Sequence, residues 1–360
     1  MTKEDMNKLL TIIIPTYNME GYLDTCLSSL ILEDPSLMEQ LEVLVVNDGS
    51  KDRSSEIAHA YEERYPSTFR VVDKENGNYG SCINVGLKIA TGKYVKTLDA
   101  DDYFDTEAFR DFLVELNEND ADVFLHYAKT FTPGTDEVWF YGIFPSDFKK
   151  DRKEFTMADL LKPERPVLVG MHNITYRTKI FRDLGYHQLE GVSYTDNLWT
   201  FLPLSQARTI RLYPHTVYRY LKGREGQTVN ADVLRRRFED ERQVSLQMCR
   251  DFASSGCDGD GKRYLHDRLK EHLEHIYLHG INGEIYNEPD VRNLDRDIKD
   301  IVPGLYREFD NLVVSVYSYH HSVSVRFWRK WDGRWFYVQE GLFHLFMDPL
   351  KLAKKLLLKR

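Results

Sequence analysis

Short apolar runs alternate with amphipathic stretches through the first hundred residues. Residues 10–14 (Leu-Thr-Ile-Ile-Ile) form a compact run stopped by Pro15, the pattern of a strand buried on both faces. Leu23, Leu27 and Leu30 then mark one helix face. Residues 43–46 repeat the strand signature and close on Asn47-Asp48-Gly49-Ser50. A helix is predicted over 52–65, a third strand over 69–72 and a Gly/Asn turn over 76–80. A further helix over 81–91 ends at Gly92, and a fourth strand covers 94–98. Such alternation predicts an α/β fold, a mostly parallel Rossmann-like sheet flanked by helices with right-handed crossovers. Ligands bind such sheets at the carboxyl ends of the strands. Asp48, the Asn76 loop and the segment from Asp99 to Asp102 all fall at such ends.

Downstream the rhythm loosens. The pattern predicts a helix over 107–117, a strand over 123–127, an irregular aromatic stretch over 131–153, short helices over 177–184 and 196–204, and a strand over 217–220. Past residue 230 the texture becomes helical, over 231–254, 262–279 and 290–301, with a Gly-rich break at 256–261. Three parts are expected: 1–229, a helical subdomain over 230–318, and a basic amphipathic segment over 319–360.

Charge narrows the partners. The 360 residues carry a net charge of −9, which argues against nucleic acid. From residue 320 onward, however, nine Lys and Arg face only Asp332, Glu340 and Asp348, so this end is basic. No apolar run reaches the 18 residues of a membrane span, and residues 1–6 lack a signal-peptide core. Cys26, Cys82, Cys249 and Cys257 form no Cys-x-x-Cys pair and read as reduced thiols. The expected setting is cytoplasmic.

The chemistry concentrates in Leu98-Asp99-Ala100-Asp101-Asp102, where three carboxylates crowd the end of an apolar strand. Like charges this close repel one another. A hard divalent cation, Mg²⁺ or Mn²⁺, would resolve the conflict by taking oxygen ligands from one or two of them and from a bound phosphate.

Five motifs follow in order: Pro15-Thr16-Tyr17-Asn18; Asn47-Asp48-Gly49-Ser50; Asn76 to Gly80 with Asn84 and Gly86; Thr91-Gly92-Lys93-Tyr94; and Asp99-Ala100-Asp101-Asp102. Together they resemble the family 2 glycosyltransferases of GT-A fold, strongly over residues 9–105 and more weakly to about 230. The resemblance implies an inverting, metal-dependent transferase that moves a sugar from a nucleotide donor, UDP-linked by preference, to a hydroxyl. It implies that Pro15 and Tyr17 line the nucleobase pocket, that Asp48 accepts the imide N–H, and that Asn76, Gly77, Asp99 and Ala100 lie along the donor. The cation would fall to Asp101 and Asp102, whose shares stay open, with Asp99 and His215 as further candidate ligands. The general base would be Asp196 in Val192-Ser193-Tyr194-Thr195-Asp196, where Thr195 replaces the family's usual Glu; Glu190 is a lesser candidate. Arg224 and Gln227 in a Gly-punctuated loop would close on the diphosphate. Met171, His172, Asn173 and Trp139 would shape the acceptor side.

The last residues suggest a separate role. Residues 327–360 mix aromatics and cations as an interfacial membrane helix does, or as a helix docked on protein. The expected acceptor is a glycan or polyprenyl-diphosphate-linked hydroxyl of a bacterial surface polysaccharide pathway, met at the inner face of the cell membrane; a homo-oligomer stays open. Two rivals remain. A sugar nucleotidyltransferase would carry a Gly- and Lys-bearing phosphate loop after the first strand, where Pro15-Thr16-Tyr17-Asn18 stands instead. A catalytically inactive nucleotide- or glycan-binding protein has no need of Asp48, Asp99, Asp101 and Asp196 together.

Overall fold

The four apolar runs become strands β1 (Lys8–Thr16), β2 (Leu41–Asn47), β3 (Phe69–Asp73) and β4 (Gly92–Thr97). Between them lie helices α1 (Leu23–Ser28), α2 (Pro35–Gln40), α3 (Ser54–Arg64) and α4 (Asn78–Ile89). A computed structural model describes residues 8–132, 138–141, 154–162, 169–222, 231–282, 285–316 and 321–331. Arg224, Gln227 and residues 332–360 lie outside this set, so the donor-closing loop and the end of the basic segment do too.

The chain continues through β5 (Tyr103–Phe104), α5 (Thr106–Glu118), β6 (Val123–Phe131), β7 (Val138–Tyr141), β8 (Glu154–Phe155) and α6 (Met157–Leu160). Then come β9 (Ile174–Arg177), α7 (Lys179–Leu184), α8 (Asp196–Thr200), α9 (Leu202–Ser205) and β10 (Ile210–Leu221). The sheet order is β3-β2-β1-β4-β9-β6-β10-β5, with β7 on β6 and β8 on β10. β1 pairs in parallel with β2 and β4, β2 with β3, and β6 with β10. β9 is antiparallel to both β4 and β6. The periodicity of the sequence missed β9: four residues between two stronger strands carry too little pattern, and pairing on both edges holds the strand in place. The helix expected over 196–204 breaks at Phe201. Pro203, in the first turn of α9, has no N–H to continue the α8 ladder.

One core face is built from Leu10, Ile12, Ile14, Val43 and Val45 against Leu23 and Leu27 of α1 and Phe109, Phe112, Leu113 and Leu116 of α5, all buried. Burying a side chain of this size contributes about 1.5–3 kcal/mol, so these strands form a rigid floor. The other face takes α4. There a Cβ on Gly86 would lie 2.6 Å from Ile13, so only glycine permits this approach.

The chain divides into two compact units, Met1–Gln227 with Ser254–His266, and Thr228–Ala253 with Asp267–Arg360. The helical texture past 230 is realised as α10 (Ala231–Arg236), α11 (Phe238–Ser254), α12 (Gly259–Ile281), α13 (Glu288–Ile301) and α14 (Pro303–Glu308). A hairpin of β11 (Val313–Val316) and β12 (His321–Ser324) leads into α15 (Val325–Trp331). Here the reading of residues 327–331 as membrane-facing is corrected for two side chains. Trp328 is buried, and its indole N–H donates to Glu288 at 2.7 Å. Arg329 donates to Asp295 at 2.7 Å and Asp310 at 2.8 Å, with its guanidinium 3.4 Å from the Tyr306 ring centroid. Each polar group finds its partner inside the second unit, so neither side chain needs water or headgroups. No helix of the described residues is long and apolar enough to cross a membrane.

Candidate functional site: an acidic rim at the strand ends

The loops after β1, β2, β3 and β4 meet at one edge of the sheet. The loop after β1 is clamped to the loop after β2: Asn18 accepts from the Lys51 N–H at 2.7 Å, and Glu20 from the Arg53 N–H at 3.0 Å. Pro15 pairs with Val46 one step before the β1–β2 ladder ends at Thr16 and Asn47, and Tyr17 follows with 45% of its surface exposed. Asp48 is buried. Its Oδ1 accepts from Lys74 Nζ and from the Gly77 N–H at 2.9 Å, while Asn76 donates to the Asp48 carbonyl at 3.0 Å. Residues at three strand ends are thereby tied together.

The carboxylates after β4 are held unequally. Asp99 is half-buried; its Oδ1 accepts from the Tyr79 hydroxyl at 3.0 Å, and its Oδ2 stands 3.5 Å from His172 Nε2. Asp102 is buried, gripped by the Tyr218 hydroxyl at 2.6 Å and the Leu221 N–H at 2.7 Å. Burial, then the charges of Asp99 and Asp101, push the Asp102 carboxyl up to about 9. Asp101 is half-buried and close enough that it also helps to raise the Cys26 thiol. Ala100 is packed beneath them. Burial and Asp99 hold the Tyr79 and Tyr218 hydroxyls well above their usual range, so both remain donors.

Ligand atoms of Asp99, Asp102 and His172 all lie within 4.8 Å of one another. Two carboxylates beside an imidazole suit a divalent cation, and the raised Asp102 marks a rim short of positive charge, so the residues fit such an ion. His215, by contrast, is not brought here. It stands exposed on β10 with its ring 4.8 Å from Tyr213.

Asp196 opens α8 opposite this cluster. It is open to solvent yet crowded by protein, as a residue lining a cleft is, and that crowding raises its carboxyl pKa. His172 lowers it in turn and Asp99 raises it, so Asp196 lies within electrostatic reach of both. The segment before α8 is pinned to α4: Asn84 donates to the Gln188 carbonyl at 2.9 Å and to Glu190 at 2.7 Å, and the Gly191 N–H reaches the Gly77 carbonyl at 3.1 Å. A Cβ on Gly80 would sit 1.8 Å from the Leu189 carbonyl oxygen, so this contact requires glycine. Thr195, in place of an acidic residue, is buried and accepts from Gln188 at 2.6 Å through its carbonyl.

Sequence reasoning left several residues without a role. Tyr79, Tyr218 and Lys74 hold the rim carboxylates, and the sequence pattern shows them only as helix, strand and loop positions. His172 was read toward the acceptor and stands beside Asp99. Strain offers another signal: the positive-φ non-glycine residues among the described ones are Asn18 in the loop after β1, Asn78 at the start of α4 and Tyr194 just before α8. Asn tolerates this region, whereas Tyr rarely adopts it, and such strain clusters at functional sites.

Comparison with known proteins follows the same lines. Residues 11–185 match the model of glycosyl transferase family 2. The uncharacterized glycosyltransferase YibD of Escherichia coli is 30% identical over 214 residues, 59% of this chain and 60% of that protein. The poly(ribitol-phosphate) beta-N-acetylglucosaminyltransferase TarS of Staphylococcus aureus is 30% identical over 222 residues, 61% of this chain and 37% of its own length. The matched stretch thus spans less than two thirds of either relative's length. The crystal structure of S. aureus TarS 1–349 in complex with UDP-GlcNAc shares the fold, with a TM-score of 0.60 at 23% identity over 82% of both chains. The architecture is GT-A, with a helical region after it.

Proposed function

We propose that the chain, whose residues 11–185 match the family 2 glycosyltransferase model, is an inverting glycosyltransferase acting on a nucleotide sugar at the acidic rim. The observation that supports this reading is that Asp196 lies within electrostatic reach of Asp99 and His172, which stand 3.5 Å apart, and that the segment before it hydrogen-bonds Gly77 of the loop that binds Asp48. Tyr17 would stack on the nucleobase with its exposed ring, and Asp48, oriented by Lys74 and Gly77, would accept the imide N–H of a uracil. TarS crystallised with UDP-GlcNAc, which makes this the first donor to try.

Asp99, Asp102 and His172, with Asp101 beside them, would hold a Mg²⁺ or Mn²⁺ ion, which as a Lewis acid offsets the charge on the departing nucleoside diphosphate. Asp196 would take the proton of the acceptor hydroxyl as its oxygen attacks the anomeric carbon from the face opposite the leaving group. The raised pKa of Asp196 matches a general base better than an ordinary carboxylate would, because basicity rises with pKa. Arg224 and Gln227 would add donors to the diphosphate. The acceptor would be a hydroxyl on a bacterial surface glycan or its polyprenyl-diphosphate-linked precursor. A peripheral place at the inner membrane face then rests on residues 332–360.

The test is release of UDP from UDP-GlcNAc and other UDP-sugars with Mg²⁺, with Mn²⁺ and with chelator. Asp196→Asn is expected to lower turnover by at least about 100-fold, the scale of a lost general base, while UDP affinity stays within threefold. Wild-type turnover that survives Asp196→Asn would reject Asp196 as the base.

A further inference from the structure

Lys96 is a fully buried lysine in the middle of β4, three residues before Asp99. Buried lysines are rare, and those that occur are usually paired with a carboxylate. Lys96 instead gives its ammonium protons to two backbone carbonyls, His172 at 2.9 Å and Ile174 at 3.0 Å. Its head lies 5.6 Å from the Tyr218 ring centroid and 5.9 Å from that of Phe104. Both carbonyls belong to the segment that brings His172 to the rim. The His172 ring is caught between Tyr218 and Tyr220, at centroid distances of 5.0 and 4.9 Å. Lys96 therefore ties the strand that delivers Asp99 to the backbone that delivers His172. The pocket around it is demanding: His126 Nε2 and Thr175 Oγ1, on neighbouring strands, are buried without hydrogen-bond partners. An apolar residue would be the cheaper occupant if packing were all that this position required.

We propose that Lys96 is a positioning residue which, through the His172 carbonyl, sets the distance between the His172 imidazole and the Asp99 carboxylate and thereby the affinity of the rim for a divalent cation. The inference rests on the reading of the rim as a cation site. Partners that orient metal ligands are typically worth 10–100-fold in metal affinity. Lys96 holds the backbone of such a ligand, so the lower end of that range applies.

The probe is Mn²⁺ alone, its binding to the full chain followed by electron paramagnetic resonance. Lys96→Met, which keeps the length and loses the ammonium, is expected to weaken Mn²⁺ binding about tenfold. In a His172→Ala background the same substitution should change Mn²⁺ binding by less than twofold, because the residue through which Lys96 acts is gone. A merely structural lysine would weaken binding equally in both backgrounds. That result, or wild-type Mn²⁺ affinity in Lys96→Met, overturns the inference. Should Lys96→Met not fold, Lys96→Gln, which retains an N–H donor, takes its place in both backgrounds with the same criteria. A wild-type chain that binds no Mn²⁺ would instead refute the cation reading of the rim, an outcome distinct from a Lys96 variant that binds as tightly as wild type.

Discussion

Two sets of buried charges in this molecule are handled in opposite ways. In the helical unit Arg329 is half-buried between Asp295 and Asp310, and its guanidinium also reaches the Tyr306 carbonyl at 2.8 Å and the Tyr277 hydroxyl at 3.2 Å. Its carboxylate partners hold Arg329 well above its usual range, so this cluster carries its own neutralising charge. At the rim Asp99, Asp101 and Asp102 stand together, and the nearby Lys96 donates to two carbonyls. Burial, then the neighbouring carboxylates, raise Asp102 to about 9. The difference separates charge that holds a fold together from charge poised for a ligand. The first is matched within the protein; the second is kept in place by neutral donors, Tyr79 and Tyr218, which fix geometry without cancelling charge.

The comparison breaks most decisively at Arg329. Arg329→Met leaves Asp295 and Asp310 without their cation and is expected to cost about 3–5 kcal/mol, read as a lower urea midpoint. Asp196→Asn, which removes charge from a crowded cleft, should leave that midpoint unchanged or raised. Equal losses in the two variants would erase the distinction. Next comes Gly80→Ala. The added methyl must displace the Leu189 carbonyl, and with it the segment leading to Asp196. Turnover should fall about tenfold or more, since small misplacements of reacting groups are costly, while UDP binding changes little. An unaltered kcat would show that this segment does not position the base. The smallest effect belongs to His59, half-exposed between Glu62 and Asp73, which raise its pKa. A raised folded-state pKa contributes stability that is fully present below the unfolded value near 6.5 and is lost as pH rises through the folded value. His59→Gln should therefore lower the melting temperature slightly at pH 5.5 and not at pH 9. A difference that grows with pH would reverse this assignment.

Much of the catalytic half was legible because strand ends announce themselves. A short apolar run that stops at Pro15, at Asn47 or before Asp99 identifies both the strand and the loop that follows, and parallel topology brings those loops to one edge. Asp196 was legible only through the resemblance, since a lone Asp at a helix start is equally a cap. The basic segment misled for Trp328 and Arg329 because composition cannot tell lipid from protein as the partner of an aromatic–cationic stretch.

The order of strands and helices and the acidic rim were written in local patterns, since hydrophobic periodicity and turn chemistry act over a few residues. Tertiary structure alone decided that β9 slips between β4 and β6, that His172 rather than His215 stands beside Asp99, and that Lys96 lies beneath them both. These are contacts between residues about 50 or more apart in the chain. They depend on how the strands pair and on which buried polar group can reach a partner, and no stretch of sequence encodes that by itself.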